Sequence, residues 1–262
     1  MDISPTELTA LLQIVQKADR ALLDVYQQNS AIVTIKADNS PVTQADIASH
    51  HIITTGLAAL FPDIPIVSEE GDEAENSRLV QSERFWLVDP LDGTRDFLNR
   101  TDDFTVCIGL VEHSIPVFGI VSAPAHGVTY YGGPINGSFK IADTHDPIPL
   151  HVATDKTNIV LISRSHTDDA TAEYIATQYP AAQTEQVGSQ LKLPHIAEGN
   201  ADVYPRISCG LHLWDLAAGH AILTGAGGSV VRPDGSAIDY RDPSLRVGDF
   251  VASSTPLAGS TA

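Results

Sequence analysis

The stretch FWLVDPLDGTRDFLNR, residues 85–100, sets two aspartates three apart, Asp89 and Asp92, at the end of an apolar run. Pro90 lies between them, and Gly93 and Thr94 follow. Carboxylates crowded against a buried strand are costly unless something positive offsets them. Three further acidic sites also fall at strand ends or helix starts. Glu69 and Glu70 follow the apolar run IPIVS (64–68), Asp46 lies in the first turn of a helix expected over residues 43–60, and Asp215 opens a helix after Trp214. Such positions are where α/β folds gather their ligands. Hard oxygen donors in this number suit Mg²⁺ or Mn²⁺. No HExxH, CxxC or histidine-rich run competes for zinc.

Each acidic residue also has a plainer reading. Asp92-Gly93 is a common turn pair, and Asp46 can close a capping box with Thr43. Asp215 can oppose a helix dipole, and Glu69-Glu70 can be a solvated turn. The DPLDGT spacing goes further than these. Pro90 is expected to stop the β-ladder and send the chain out of the sheet. Asp89, Asp92 and the Leu91 carbonyl are then free to converge on one ion. Gly93 lets the backbone approach a ligand, and a helix starting at Thr94 offers N–H groups to a phosphate.

The elements that would position these groups follow from patterning. Ser4-Pro5-x-Glu7 is a helix start, with Ser4 as N-cap and Glu7 closing the box. Leu8, Leu11, Leu12, Val15, Leu22, Val25 and Tyr26 then keep helical spacing. AIVTI (31–35), IPIVS (64–68) and residues 85–89 read as strands. TVCIGLVE, PVFGIVSAP, GVTYYGG and NGSFKI predict an antiparallel meander between residues 105 and 140. Beyond about residue 150, strands at NIVLISRS and 183–187 alternate with helices near 168–179, 189–198 and 213–224. The class is α/β (α+β), divided into an N-terminal α+β part, 1–150, and a C-terminal α/β part, 151–262.

Composition bounds the partners. The 262 residues are 43% hydrophobic and 18% charged, as in a globular chain. A net charge of −18 argues against a nucleic-acid backbone as partner, though a small phosphorylated ligand is accommodated wherever cations or helix N-termini supply local positive charge. There is no apolar run long enough to span a bilayer and no signal-peptide pattern at the N-terminus. Two cysteines, Cys107 and Cys209, fit a reducing compartment, so a cytoplasmic protein is expected. No basic amphipathic stretch argues for peripheral membrane association. Monomer and homodimer both remain open.

WLVDPLDGT (86–94), WDLAAGHAIL (214–223) and the upstream SEEG together resemble the inositol monophosphatase superfamily of Mg²⁺-dependent, lithium-sensitive phosphatases. Seven motifs, KADNSPVTQADIASH (36–50), VSEEGD (67–72), RDFLNR (95–100), ISRSH (162–166), VGSQLK (187–192), AEGNADVYPR (197–206) and LWDLAAGH (213–220), are similar to its bacterial 3'(2'),5'-bisphosphate nucleotidase branch. The resemblance implies a layered α/β/α/β/α sandwich with two or three Mg²⁺ ions, Mn²⁺ as a substitute and Li⁺ as an inhibitor. It implies Glu69, Asp89 and the Leu91 carbonyl at one metal, and Asp89, Asp92 and Asp215 at the second. Asp46 and Thr94, with Glu69 nearby, would position and deprotonate the attacking water. Gly93, Thr94, Ser163, His166, Gly188, Lys192 and Asp215 would surround the substrate. Lys192 is expected to offer phosphate a point charge, the alternative being a solvated lysine at a helix start. The implied reaction takes the 3'-phosphate from adenosine 3',5'-bisphosphate, leaving AMP, with the 5'-phosphosulfate analogue as a second substrate, in sulfur assimilation. The alternatives are an inositol or sugar phosphate monoesterase of the same superfamily, and a non-catalytic metal or nucleotide sensor.

Overall fold

The computed structural model describes residues 3–28, 33–35, 41–142, 146–164, 168–208 and 210–255. His166, Cys209 and residues 36–40 of the first nucleotidase motif lie outside these. Helix α1 (Pro5–Gln28) is followed by a short hairpin, β1 (Val33–Ile35) and β2 (Pro41–Thr43), then by α2 (Gln44–Leu60), β3 (Ile66–Ser68), α3 (Glu73–Leu79), β4 (Arg84–Asp92) and α4 (Thr94–Asn99). The meander is β5 (Thr105–Glu112), β6 (Ile115–Ala123), β7 (Val128–Gly133) and β8 (Gly137–Ile141), closed by β9 (Ile148–Pro149). Next come β10 (Ile159–Ser163), α5 (Asp169–Gln178), β11 (Gln183–Val187), α6 (Lys192–Ala197), β12 (Val203–Arg206), α7 (Ala217–Gly225), β13 (Ser229–Val231) and β14 (Phe250–Ser253).

Strands β3 to β9 form one seven-stranded sheet in sequence order, antiparallel except for the β3–β4 pair. A five-stranded sheet has the order β11-β10-β12-β14-β13, with its first three strands parallel. Alternation along β4 and β5 sorts side chains between two cores. Trp86, Val88, Ile108 and Leu110 join Leu11, Val15 and Leu22 of α1 and Ile53 and Leu57 of α2 on one face. Phe85, Leu87, Cys107 and Val111 join α6 and α7 on the other. Helix α5 covers the far side of the smaller sheet through Ile175, Val160, Val203 and Val251. The layers are therefore α/β/α/β/α, as expected.

Ser4 and Glu7 exchange the capping-box hydrogen bonds, Glu7 Oε2 accepting from Ser4 N at 2.8 Å and Ser4 Oγ from Glu7 N at 3.3 Å. The helix expected over 189–198 is broken into a 3-10 turn, Ser189–Leu191, and α6. Pro194 has no N–H for the Gln190 carbonyl, so the α-helix restarts with proline in its first turn. Among the described residues no helix is long and apolar enough to cross a membrane.

Helix α7 lies against β5, β6 and β7. Gly109 and Gly119, paired across β5 and β6, leave room for this approach. A methyl on Gly119 would stand 2.8 Å from the Ala218 Cα and closer still to the Ala218 carbonyl oxygen. The obstruction is backbone, so it cannot relax by a rotamer change. Gly119→Ala is expected to destabilise the fold by about 3 kcal/mol. Urea unfolding checks this, and a loss under about 0.5 kcal/mol would contradict so close a contact.

Candidate active site

Proline 90 does not end β4. The strand continues to Asp92 with one extra residue, because Asp89 pairs with Cys107 and Asp92 with Thr105. This β-bulge corrects the expectation that the chain leaves the sheet at Pro90. A proline has no N–H to contribute to the ladder, and a bulge leaves one residue unpaired, so the two coincide. The bulge also explains the aspartate spacing. Residues three apart on a regular strand face opposite sides, and one inserted residue restores the parity. Asp89 and Asp92 therefore reach the same side. From α2, Ser49 Oγ donates to the Pro90 carbonyl at 2.8 Å and anchors the bulge.

On that side the carboxylate oxygens of Asp89, Asp92 and Asp215 lie within 4.8 Å of one another. Asp215 does not open α7. It closes the 3-10 turn Leu213–Asp215, with Oδ2 accepting from His212 N at 2.8 Å, and α7 begins at Ala217. Glu69 shares a hydrogen bond with Asp89. Burial first, then the charges of Glu69, Asp92 and Asp215, push the Asp89 carboxyl well above the usual carboxylate range. Burial and the charges of Asp92 and Glu69 do the same to Asp215, against the His212 N–H. The charges that act on Asp89 are all negative, whereas at Asp215 the Arg246 guanidinium opposes the rise. This crowded set of hard oxygen donors is what a divalent cation requires.

These carboxylates form one wall of a cleft of about 320 Å³ lined also by Leu91, Gly93, Thr94, Ser163, Gly188, Lys192, Tyr204 and Arg206. The expected site residues thus meet, except Asp46, which stands behind Thr94, and His166, which is outside the described residues. Thr94 Oγ1 is 3.4 Å from Asp46 Oδ1 and 3.3 Å from the Leu91 carbonyl oxygen. Asp46 also closes the capping box of α2, its Oδ2 accepting from Thr43 N at 2.8 Å and Thr43 Oγ1 at 2.5 Å. The cap and the contact with Thr94 do not compete, because each uses a different oxygen. Burial raises the Asp46 carboxyl, with the Thr43 hydrogen bonds opposing. Gly93 caps α4 at φ +85°, which favours glycine.

Lys192 is not a solvated lysine. It is 5% exposed, with Nζ donating to the carbonyls of Val187 (3.2 Å) and Ser189, and it sits 5.2 Å from the Tyr204 ring centre. Burial pulls its ammonium down to about 8, although Asp92 opposes the shift. Gly188 lines the cleft, and its N–H donates to Asp103 Oδ2 at 3.1 Å.

Several residues of this region were not singled out from the sequence. Ser189 Oγ donates to Asp92 Oδ2 and lies 2.6 Å from Thr105 Oγ1. Gln190 accepts from Gly219 N at 2.7 Å and donates to the Trp214 carbonyl at 3.2 Å, tying the VGSQLK segment to the head of α7. Both lie inside VGSQLK, so that motif is their signal in the sequence. Asp103 had none: DDF reads as a solvated turn.

The chain belongs to the inositol monophosphatase family, whose model matches residues 4–260. The 3'(2'),5'-bisphosphate nucleotidase CysQ of Salmonella typhimurium is 42% identical over 234 residues, which are 89% of this chain and 93% of that protein. The protein of the same name from Escherichia coli K12 is 40% identical with the same coverage. The crystal structure of CysQ from Bacteroides thetaiotaomicron superposes with a TM-score of 0.77 at 30% identity, covering 95% of this chain and 97% of that one. An IMPase from Thermotoga maritima superposes with a TM-score of 0.78 at 23% identity, covering 95% and 92% of the two chains, a likeness of fold.

Proposed function

We propose that this phosphatase removes the 3'-phosphate of adenosine 3',5'-bisphosphate, giving AMP and phosphate, and acts on the 5'-phosphosulfate analogue, as a cytoplasmic enzyme of sulfur assimilation. The reading is carried by relatives of that name at 40% to 42% identity over most of both chains. The cleft supports it, since it runs from the carboxylates to Ser163, Lys192 and Arg206 on the smaller sheet's side, far enough for more than a phosphate.

Glu69, Asp89, Asp92, Asp215 and the Leu91 carbonyl are the groups that would hold the metal, for which we propose Mg²⁺ with Li⁺ as inhibitor. When bound, divalent ions neutralise the phosphate dianion and acidify water. The chain's own part is proton handling and orientation. The Thr94 hydroxyl, aligned by Asp46 Oδ1, accepts the proton of the attacking water and passes its own to Asp46, whose raised carboxyl suits a base. Glu69 borders the same space. The N–H groups that open α4 after Gly93 are the backbone donors that would meet the phosphate.

Phosphate release from adenosine 3',5'-bisphosphate, its phosphosulfate analogue, inositol 1-phosphate and fructose 1,6-bisphosphate tests this, with Mg²⁺, Mn²⁺, Li⁺ or EDTA. We expect kcat/KM for the nucleotide to exceed that for the others by about 10-fold or more, with loss in EDTA. A better inositol or sugar phosphate substrate would replace the reading with the monoesterase alternative. No turnover of any of them, with metal still bound, would replace it with the sensor.

A further inference from the structure

Asp103 stands just before β5, outside the cleft lining, with a side chain only 12% exposed. Its Oδ1 is 3.0 Å from His126 Nε2, in the turn after β6. Its Oδ2 is 2.6 Å from Arg164 Nη2, at the end of β10, and 3.1 Å from Gly188 N, at the end of β11. One carboxylate thus joins the large sheet to two strand ends of the small one. The approach is exclusive: a Cβ on Gly188 would lie 2.6 Å from the Asp103 Cβ. Arg164 also reaches Asp96 of α4 at 3.5 Å.

What the clamp holds lies next to it in sequence. Ser163 precedes Arg164, and the Val187 and Ser189 carbonyls that seat the Lys192 ammonium flank Gly188. The metal-facing side has separate support, because Ser189 Oγ is bound to Asp92 and Thr105. We propose that Asp103 is a positioning residue for substrate recognition, its carboxylate clamping Arg164 and Gly188 to the large sheet and so fixing Ser163 and Lys192 opposite the acidic cluster. The inference rests on the nucleotidase reading. A contact that places the far wall alters binding of whatever spans the cleft and spares a ligand confined to the acidic end.

The test compares wild type with Asp103→Ala, Asp103→Asn and Arg164→Gln at saturating Mg²⁺. It measures kcat and KM for adenosine 3',5'-bisphosphate and the inhibition constant of inorganic phosphate. Asp103→Ala is expected to raise KM about 10-fold or more, with kcat and the phosphate constant within about 3-fold. Asp103→Asn keeps an acceptor for Gly188 N and should fall between, and Arg164→Gln should move KM the same way. If Asp103→Ala does not fold, the other two variants decide. Unchanged KM in the variants, or KM and the phosphate constant rising together, overturns the clamp. A wild type that prefers inositol 1-phosphate overturns the nucleotidase reading and this inference with it, and is seen before any variant is made.

Discussion

Asp89→Asn is expected to lower kcat by at least about 10²- to 10³-fold, the loss seen when a single electrostatic stabiliser is removed. Asp89 is the carboxylate assigned to both ions, so its loss should reach each of them. The fold should survive. Leu91 N donates to Asp89 Oδ1 at 3.0 Å, and an asparagine carbonyl can keep that bond. Without metal the variant should be more stable than wild type, because one member of a repelling buried cluster becomes neutral. The pH dependence follows. Folded Asp89 and Asp215 hold their protons to higher pH than the unfolded chain, whose carboxyls titrate near about 4. Above that pH the folded state binds more protons, so metal-free stability falls as pH rises, until the folded groups themselves ionise. Asp89→Asn should flatten this decline. Melting temperatures in EDTA from pH 5 to 8, with and without Mg²⁺, check it. Near-normal turnover, or a variant that melts well below wild type in EDTA, would count against the assignment.

Asp46→Asn should separate a structural from a chemical role within one side chain. Its Oδ2 completes the α2 capping box and its Oδ1 faces Thr94. Asparagine can turn its carbonyl to Thr43 N and Oγ1, so the helix start is retained at a cost of about 1 kcal/mol. The amide then points at Thr94 and donates where a carboxylate oxygen accepted. The Thr94 hydroxyl loses the acceptor for its proton, and kcat should fall by about 10²- to 10⁴-fold with KM little changed. Steady-state kinetics and a thermal melt measured together decide it. A variant with kcat within about 3-fold of wild type would remove Asp46 from proton transfer. One that loses stability and activity in step would leave only the cap.

Much of the candidate site is legible in the sequence. Asp89, Asp92 and Thr94 lie within one motif, and Glu69 and Asp215 each sit in a short segment whose form is set by near neighbours. The Pro90 prediction failed for a physical reason. A missing N–H interrupts the ladder either by ending the strand or by a bulge, and the choice rests on whether β5 continues to pair beyond it. The burial of Lys192 was not legible either. A lysine beside a proline-containing helix start reads as solvated or ligand-facing, and only the packing of Tyr204 and two carbonyls explains its burial.

By itself the sequence determined the features that depend on a few adjacent residues: the Ser4–Glu7 and Thr43–Asp46 capping boxes, the meander from Thr105 onward, and the hard-oxygen chemistry of DPLDGT. Those features rest on hydrogen bonds and periodicities spanning three or four positions, which composition and order specify directly. Only the tertiary structure decided which side of the sheet Asp89 and Asp92 share, how closely α7 comes to Gly109 and Gly119, and that Asp103 serves Arg164, His126 and Gly188 together. Each of these joins segments remote along the chain, and such contacts are set by how two sheets and their helices pack, since many pairings are locally equivalent until the core selects one.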